Sequence, residues 1–237
     1  MREIVESKAG AGSAVAPGAS LAGRLVMLGE PNGAAAEAYR ELRTNLRFAP
    51  RAGGEGGHIY LLADAGGVGE HATVVANLGV ACALAGDRVI LVDANLRQSP
   101  GAESLSALFG QGEATEGITS VIRGPEDDRK VVLPLVETGV PDLLLLPAGG
   151  RGANPADLLG ADAFAVVLTA LRAHAAIVII DAPPVAEGAD SRAIAARVDG
   201  VLLLVAENRT RRPQAQQALA ALEQVGATVL GVVLMEA

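Results

Sequence analysis

A chain of 237 residues, half of them hydrophobic, is long enough to bury a substantial core, which excludes a disordered protein. Aromatic residues make up only 2 %, so Ala, Val, Leu and Ile must build that core. The net charge of −8 excludes a general nucleic-acid-binding protein, which needs a basic surface. We expect neither a membrane span nor a signal peptide, because no apolar run is long enough and the N-terminus lacks a basic segment before an apolar one. A cytoplasmic protein is predicted.

The N-terminal part of the chain changes composition near residue 24. Residues 1–23 are rich in Ala, Gly and Ser and show no hydrophobic period, so we expect a flexible tail followed by a single domain over residues 24–237. A short extended piece is predicted from Arg24 to Leu28, before a turn at Pro31-Asn32-Gly33. A second flexible joint is predicted over Arg51 to Gly57.

Residues 34–48, AAAEAYRELRTNLRF, read as a helix. Glu37, Arg40 and Arg43 lie three residues apart on it and are close enough to interact. This row is either a solvated charged face or a docking surface for another subunit.

Residues 58–97 organise the rest of the chain. An apolar strand from Ile59 to Ala63 leads into the glycine-rich turn Gly66-Gly67-Val68-Gly69, and a helix follows from Thr73 to Leu84, ending near Gly86. A second apolar strand, 89–92, ends at Asp93. A strand, a glycine turn and a helix in this order are typical of a phosphate-binding loop, where backbone N–H groups and the helix N-terminus meet an anion.

Strands and helices alternate to the end of the chain. Strands are predicted at 131–136, 143–146, 176–180, 201–206 and 229–234, and helices at 104–109, 118–123, 154–160, 161–174 and 212–224. Asn154 is expected to cap its helix, with Pro155 in the first turn. The strands are continuous Val, Ile and Leu runs, which predicts an α/β fold with a doubly wound, mainly parallel sheet covered by helices on both faces.

Three strand ends carry residues that suggest Mg-nucleotide chemistry: the glycine loop, Asp93 and Asp181. A standard loop reads G-x-x-x-x-G-K-[ST], with lysine on the phosphates and the hydroxyl on Mg²⁺. Here Glu70 takes the lysine position if the glycines are aligned, and His71 takes it if the helices are aligned. The only lysines, Lys8 and Lys130, lie elsewhere in the sequence.

The candidate site therefore has the three strand ends of a nucleotide site but lacks the lysine of its phosphate loop. Asp93, Asp181 and, if the loop shifts by one residue, Thr73 are the predicted Mg²⁺ ligands, although strand-end aspartates also serve as helix or turn caps. If Glu70 takes the lysine position, its carboxylate, about 4 Å from a phosphate charge, would be unfavourable by about 4 kcal/mol at an effective dielectric near 20. The predicted nucleotide contacts are Gly66, Gly67, Gly69, Glu70, His71, Ala72 and Thr73.

The remaining polar and sulfur-containing residues are assigned structural roles. Cys82 is predicted to be a buried core thiol, since one cysteine makes no internal disulfide or zinc site. Tyr60 is expected in the core and Tyr39 in packing. His58 and His174 flank strands without a partner pattern. The arginines that could balance phosphate charge, although a solvated surface position is favoured for each, are Arg97, Arg209, Arg211 and Arg212.

At this point the sequence closely resembles the bacterial tyrosine kinases (BY-kinases) of capsule and exopolysaccharide assembly, relatives of the deviant Walker-A ATPases of cell division and plasmid partition. The matching segments, which fall within residues 24–236, are EAYRELRTNLRFA, ANLGVACALAGDRVILVDANLR, LPAGGRGANPADLL, IVIIDAPPVAEGADS, VLLLVAENRTRR and VLGVVL. The resemblance implies a P-loop NTPase-like fold, Mg-ATP or Mg-ADP as cofactor, and oligomerisation through the E-x-x-R-x-x-R row of Glu37, Arg40 and Arg43. It also implies a membrane polysaccharide co-polymerase as partner, which would hold the protein at the inner face of the cell membrane.

The departures from the family pattern fall at the nucleotide site. G-K-[ST] becomes Glu70-His71-Ala72, and the D-x-D after the second strand becomes Asp93-Ala94-Asn95. Met235 stands where the family usually has an asparagine that contacts the base. The tyrosine cluster that family members phosphorylate on one another does not occur, since the only tyrosines are Tyr39 and Tyr60.

Three functions remain open. The first, which we favour, is a pseudokinase that acts as an interaction subunit of a polysaccharide synthesis and export complex, with an active paralogue as a further candidate partner. The second is a weakly active tyrosine kinase or ATPase in which His71 or an arginine replaces lysine. The third is a positioning ATPase of the partition type, which the missing signature lysines disfavour.

Overall fold

The computed structural model describes residues 5–6, 23, 25–49, 56–97, 103–112, 114–123, 131–150 and 154–236. Nine strands lie in this part of the chain: β1 (Val5–Glu6), β2 (His58–Asp64), β3 (Val89–Asp93), β4 (Val132–Leu133), β5 (Val136–Glu137), β6 (Leu143–Leu146), β7 (Ile177–Asp181), β8 (Gly200–Ala206) and β9 (Val229–Met235). Its α-helices are α1 (Val26–Gly29), α2 (Ala34–Phe48), α3 (His71–Ala83), α4 (Leu105–Leu108), α5 (Ile118–Arg123), α6 (Pro155–Gly160), α7 (Asp162–His174), α8 (Asp190–Ala195) and α9 (Arg212–Gln224).

Seven strands form one sheet in the order β5-β6-β3-β7-β2-β8-β9. Every neighbouring pair is parallel except β5 and β6, which are antiparallel. The short strands β1 and β4 pair with each other in a separate parallel sheet. The expected mainly parallel sheet is confirmed, and its order places β3, β7 and β2 side by side at the centre.

The central strands are buried on both faces, since successive side chains point to opposite sides and each side is covered; at the edge strand β9, Val232 and Leu234 are exposed. In β2, Ile59 and Leu61 belong to the core cluster that includes Phe164 of α7 and Leu222 of α9. Tyr60 and Leu62 point the other way, into the cluster formed with α3 and α1. Each face therefore has its own hydrophobic core, which explains why the strands read as continuous apolar runs.

Helix α3 is enclosed between the sheet and the helices α1 and α2. All but His71 and Thr73 of its residues are buried. Asn77 is the polar exception that holds α1, because its side-chain oxygen accepts the backbone N–H of Met27 at 3.2 Å. The helix ends in a turn at Gly86, whose φ of 89° is readily adopted by glycine.

Two local predictions were wrong. The segment expected to be extended before residue 28 contains the short helix α1, closed by hydrogen bonds such as Gly29 N–H to the Leu25 carbonyl. Asn154 precedes α6, but its side chain does not cap the helix; the amide Nδ2 donates instead to Asp157. The predicted tail over residues 1–23 and joint over residues 51–57 lie almost entirely outside the described residues.

Among the described residues, we find no helix with the length and apolar character that a membrane crossing requires.

Candidate functional site

The candidate site lies at the carboxyl ends of the three central strands. Asp93 ends β3 and Asp181 ends β7, and the two residues are paired in register across adjacent parallel strands. The glycine loop follows β2 on the other side of β7. The tertiary structure therefore brings together the three strand ends that the sequence singled out, as expected for ligand sites in such sheets.

The glycine loop has the backbone conformation of a tight anion cradle. Gly66, Gly67 and Gly69 have φ values of 114°, 95° and 73°, in the left-handed region that L side chains rarely adopt. The N–H of Gly66 donates to the carboxylate of Asp64 at 2.6 Å. Because part of this donor set already has an anionic partner, fewer N–H groups remain for a phosphate.

The start of α3 shows which residue faces the site. Glu70 occupies the cap position and is exposed, with no side-chain hydrogen bond to the helix, whereas His71 is the first helical residue. Ala72 is buried. The structure thus favours the register in which His71 stands in the place of the lysine.

His71 makes the central contact of the site. Its Nδ1 lies 2.6 Å from Oδ1 of Asp181, and the two side chains are 12 % and 0 % exposed. Burial alone would lower the pKa of His71, but the hydrogen bond to Asp181 and the charges of Asp181, Asp64 and Asp93 raise it to about 9. The imidazole is therefore a cation at neutral pH, and its positive charge is directed at the strand-end carboxylates.

Two further carboxylates surround this pair. Burial and, to a smaller extent, the charge of Asp181 raise the pKa of Asp93 to about 7. Burial also raises the pKa of Asp64, against the lowering effects of the Gly66 N–H and of His71. Asp64 was missed in the sequence, although its position at the end of β2 is the same signal that identified Asp93 and Asp181. The site is acidic, with three carboxylates for one imidazole.

The hydroxyl expected to bind Mg²⁺ is already used. Thr73 Oγ1 donates to the carboxylate of Glu103, a residue that the sequence did not single out. Asn95 follows Asp93 by two residues and supplies no second carboxylate; its backbone N–H donates to Asp93 at 3.3 Å. No signal in the sequence joins Thr73 to Glu103, thirty residues away, because that contact depends on tertiary placement.

The structure brings one arginine to the glycine loop. A hydrogen bond from Thr210 Oγ1 to the Gly66 carbonyl, 2.7 Å long, fastens the segment after β8 to this loop. As a result Arg209 lies against Gly67, and its Nη1 is 4.0 Å from the point where a Cβ on Gly69 would lie. Arg209 is therefore better placed near a phosphate than its expected role as solvated surface implies.

The other arginines are not at the loop. Arg97 makes a two-point ion pair with the buried Asp190, with N···O distances of 2.7 and 2.8 Å. Arg211 and Arg212 lie at the exposed start of α9. Arg97 thus has a structural partner, and the solvated position predicted for the other two is confirmed.

A magnesium nucleotide fits this donor set poorly. Of the predicted Mg²⁺ ligands, Asp181 faces His71 and Thr73 faces Glu103. Within the described part of the chain, no group of three or more His, Cys, Asp or Glu side chains is arranged to hold a metal ion. The glycine loop has the positive φ angles described above, so the poor fit concerns the ligands of Mg²⁺ rather than the backbone of the loop.

The charged row on α2 is only partly free. The Glu37 side chain is 63 % exposed, and it pairs with Arg40 at 3.0 Å. Arg40 also donates to the Pro31 carbonyl, and Arg43 reaches the Ala81 carbonyl of α3 at 3.4 Å. Glu37 and Arg40 thus lie at the surface, whereas Arg43 is bound to α3. The docking role of the row stays a prediction.

The structural assignments of the other side chains are confirmed. Tyr60 is buried and donates to the Leu46 carbonyl at 3.3 Å. Burial raises the pKa of Tyr39 to about 12 and that of the Cys82 thiol to about 12. Met235 lies at the end of β9 and packs against the second core.

Sequence comparisons identify tyrosine-protein kinases. The chain is 29 % identical over 198 residues to the tyrosine-protein kinase CpsD of Streptococcus agalactiae, covering 84 % of this chain and 82 % of that one. It is 29 % identical over 217 residues to the tyrosine-protein kinase YwqD of Bacillus subtilis, covering 92 % and 87 %. The likeness to the putative tyrosine-protein kinase EpsB of Ralstonia solanacearum, 31 % over 203 residues, spans 26 % of that longer chain. No family model matches the chain.

Solved structures show the same fold. The chimerical protein CapA2B2 superposes with a TM-score of 0.78 at 26 % identity, covering 91 % of both chains. The kinase domain of the Escherichia coli tyrosine kinase ETK gives 0.77 at 23 % identity, covering 90 % of this chain and 79 % of that one. The septum site-determining protein MinD of Pyrococcus horikoshii, complexed with Mg-ADP, gives 0.58 at 18 % identity over 75 % and 69 %. Together, these relatives and structures show that the chain is similar in sequence to bacterial tyrosine-protein kinases and has the fold of their kinase domains.

Proposed function

We propose that this chain is a pseudokinase, a non-catalytic interaction and regulatory subunit of a capsule or exopolysaccharide synthesis and export complex. The observation that carries the proposal is the 2.6 Å contact between His71 and Asp181. In an active relative, the residue in the place of His71 would bind phosphate and the aspartate would bind Mg²⁺. Here the two side chains bind each other.

Electrostatics supports the absence of catalysis. Asp64, Asp93 and Asp181 are all nearly fully buried, and only one imidazole is placed among them. Two like charges about 4 Å apart repel by about 4 kcal/mol at an effective dielectric near 20. A triphosphate without a compensating lysine and Mg²⁺ would meet this repulsion, and a loss of that size reduces a rate by about a thousandfold.

The alternative is a weakly active ATPase or tyrosine kinase, and one observation favours it. Arg209 lies against the glycine loop and supplies a permanent positive charge about where a phosphate would bind. If this arginine replaces the lysine, nucleotide binding should depend on it. Arg212, at the exposed start of α9, offers a matched control.

Calorimetry with Mg-ATP and Mg-ADP tests the two functions. The pseudokinase predicts no saturable heat up to ~1 mM nucleotide, which corresponds to a binding free energy weaker than about −4 kcal/mol. It also predicts no phosphate release above a blank. Micromolar binding that is lost in Arg209→Ala but kept in Arg212→Ala, together with phosphate release, would establish the alternative.

The proposed partners follow from the family resemblance rather than from a contact in this chain. We propose that α2, through Glu37, Arg40 and Arg43, docks on a second copy of this chain or on an active paralogue. A membrane polysaccharide co-polymerase would then recruit the assembly to the inner face of the cell membrane. Co-purification of the chain with that membrane protein tests the recruitment, and loss of co-purification on high-salt washing alone would indicate only a weak electrostatic contact.

A further inference from the structure

The carboxylate of Asp181 is unevenly satisfied. Its Oδ1 faces the Nδ1 of His71 at 2.6 Å, whereas its Oδ2 is buried and has no hydrogen-bond partner. The whole residue is 0 % exposed. A buried carboxylate oxygen without a partner is costly, so the imidazole is the group that makes this carboxylate tolerable in the interior.

The imidazole and a divalent ion cannot occupy the same side of Asp181. Magnesium requires nearly octahedral oxygen ligands at about 2.0–2.1 Å and retains several waters. The ring of His71 reaches Asp181 from α3, the helix that follows the glycine loop, and fills the direction from which a hydrated ion would reach Oδ1. The nearest hydroxyl on the same helix turn, that of Thr73, donates to Glu103 and does not complete a ligand set.

We propose that His71 is a built-in substitute for the divalent cation: its side chain takes the position on Asp181 that Mg²⁺ would hold, and it thereby makes the site selective against divalent metal. The proposal is separable from the proposed function. An enzyme that works without metal would satisfy it, and an inactive subunit that binds Mg²⁺ would not.

Removing the ring should create a metal site. In His71→Ala, Oδ1 of Asp181 loses its partner, so both carboxylate oxygens are left unpaired beside Asp93, the neighbour of Asp181 in the adjacent strand. Two adjacent buried carboxylates without a cation are the arrangement that a hard divalent ion relieves most. His71 is therefore a specificity-determining residue, and its substitution should produce a gain of binding rather than a loss.

The test is a titration with Mn²⁺ alone, which is followed by the loss of the free-ion signal in electron paramagnetic resonance. Wild-type protein should show no saturable site up to ~1 mM Mn²⁺. His71→Ala should bind one ion at least about tenfold more tightly. His71→Ala combined with Asp181→Asn should lose this gain, and His58→Ala, which changes a histidine at the opposite end of β2, should behave as wild type.

A second variant and a second measurement keep the test decisive if His71→Ala folds poorly. His71→Ser keeps a small polar side chain, and if either variant is unstable, ~1 mM Mn²⁺ should raise its melting temperature by several degrees. The proposal is overturned if wild-type protein binds Mn²⁺ as tightly as His71→Ala. It is equally overturned if neither variant gains binding or stabilisation, because the ring would then not be what excludes the ion.

Discussion

The charge on single residues decides the behaviour of the candidate site. His71 interacts with three acidic strand-end residues, and its pKa is raised to about 9 in spite of burial. Asp93 has its pKa raised to about 7, first by burial and then by Asp181. Groups whose pKa differs between the folded and unfolded states make stability depend on pH, so both residues give predictions that need no ligand.

Replacing Asp93 with asparagine should stabilise the protein above neutral pH. The ordinary pKa of the group is 3.8 and the folded value is about 7, so the folded state holds the extra proton between these values. The contribution of Asp93 is therefore fully present below about pH 4 and is lost as the pH rises through about 7. Asparagine does not ionise, so Asp93→Asn is not destabilised in this way. We expect its free energy of unfolding to exceed that of wild type by on the order of a few kcal/mol at pH 8, and we expect this difference to vanish near pH 4.

Urea denaturation at pH 4.5, 6 and 8 measures this advantage. Asp87→Asn, which changes an aspartate outside the cluster, is the control and should show no comparable trend. An Asp93→Asn curve parallel to that of wild type at every pH would contradict the raised pKa.

Wild-type protein should lose stability at alkaline pH, and comparison with His71→Gln should show that His71 is the cause. The ordinary pKa is 6.5 and the folded value about 9, so the folded state binds the proton more strongly. The stabilisation by His71 is fully present below pH 6.5 and is lost as the pH rises through about 9. The difference in melting temperature between wild type and His71→Gln should therefore shrink from pH 6.5 to pH 9.5.

Asp181→Asn provides the matched control for this alkaline effect. Because it removes the main partner of His71, most of the pH dependence between 6.5 and 9.5 should disappear with it. A pH dependence that survives in Asp181→Asn would assign the effect to another group.

At the scale of elements, α3 carries both the site and the core. Its first residue is His71, and its later turns pack against β3 so closely that Gly79 leaves no room for a side chain. Helix α2 packs on its outer side and presents the charged row of Glu37, Arg40 and Arg43. The position of these two helices therefore determines both how firmly the loop is held and which surface is offered to a partner.

Gly79→Ala should destabilise the protein although alanine favours helices. A Cβ at this position would lie 2.6 Å from Cδ2 of the buried Leu91. Overpacking of this kind costs about 1–3 kcal/mol, against a helix-propensity gain of about 1 kcal/mol. We expect the free energy of unfolding, measured by urea denaturation, to fall by up to about 2 kcal/mol. Gly160→Ala, where a Cβ has no atom within 4 Å, should not be destabilising.

Arg40→Glu should shift any self-association towards the monomer. The change reverses a charge in the exposed part of the row, and it also removes the pair with Glu37. Multi-angle light scattering over a concentration series measures the mass. Arg40 is a better residue to substitute than Arg43, because Arg43 contacts the Ala81 carbonyl of α3 and its loss would disturb the fold.

Arg47→Glu, in the last turn of the same helix, is the control for Arg40→Glu and should leave the mass unchanged. An equal loss of mass in both variants would indicate a general effect of charge. An unchanged mass in Arg40→Glu would contradict the docking role of the row.

At the scale of the whole molecule, the order of the central strands assembles the site. The chain passes from β2 to β3 and later inserts β7 between them. This crossover places Asp181 beside Asp93 and within reach of His71, although His71 and Asp181 are 110 positions apart in the sequence. Ligand sites in parallel sheets lie at these strand ends, and here the strand ends hold the pair of His71 and Asp181.

The sequence by itself determined the alternation of strands and helices, the burial of both faces of the central strands and the three strand ends that meet at the site. These properties depend on local periodicity and on rules common to parallel sheets, which is why α2, β6, α5 and α9 were placed within a residue of their observed bounds. Only the tertiary structure decided that His71 rather than Glu70 faces Asp181, that Glu103 takes the hydroxyl of Thr73, and that Arg209 lies against the glycine loop. Those contacts join side chains far apart in sequence, and their geometry depends on packing that no local pattern records.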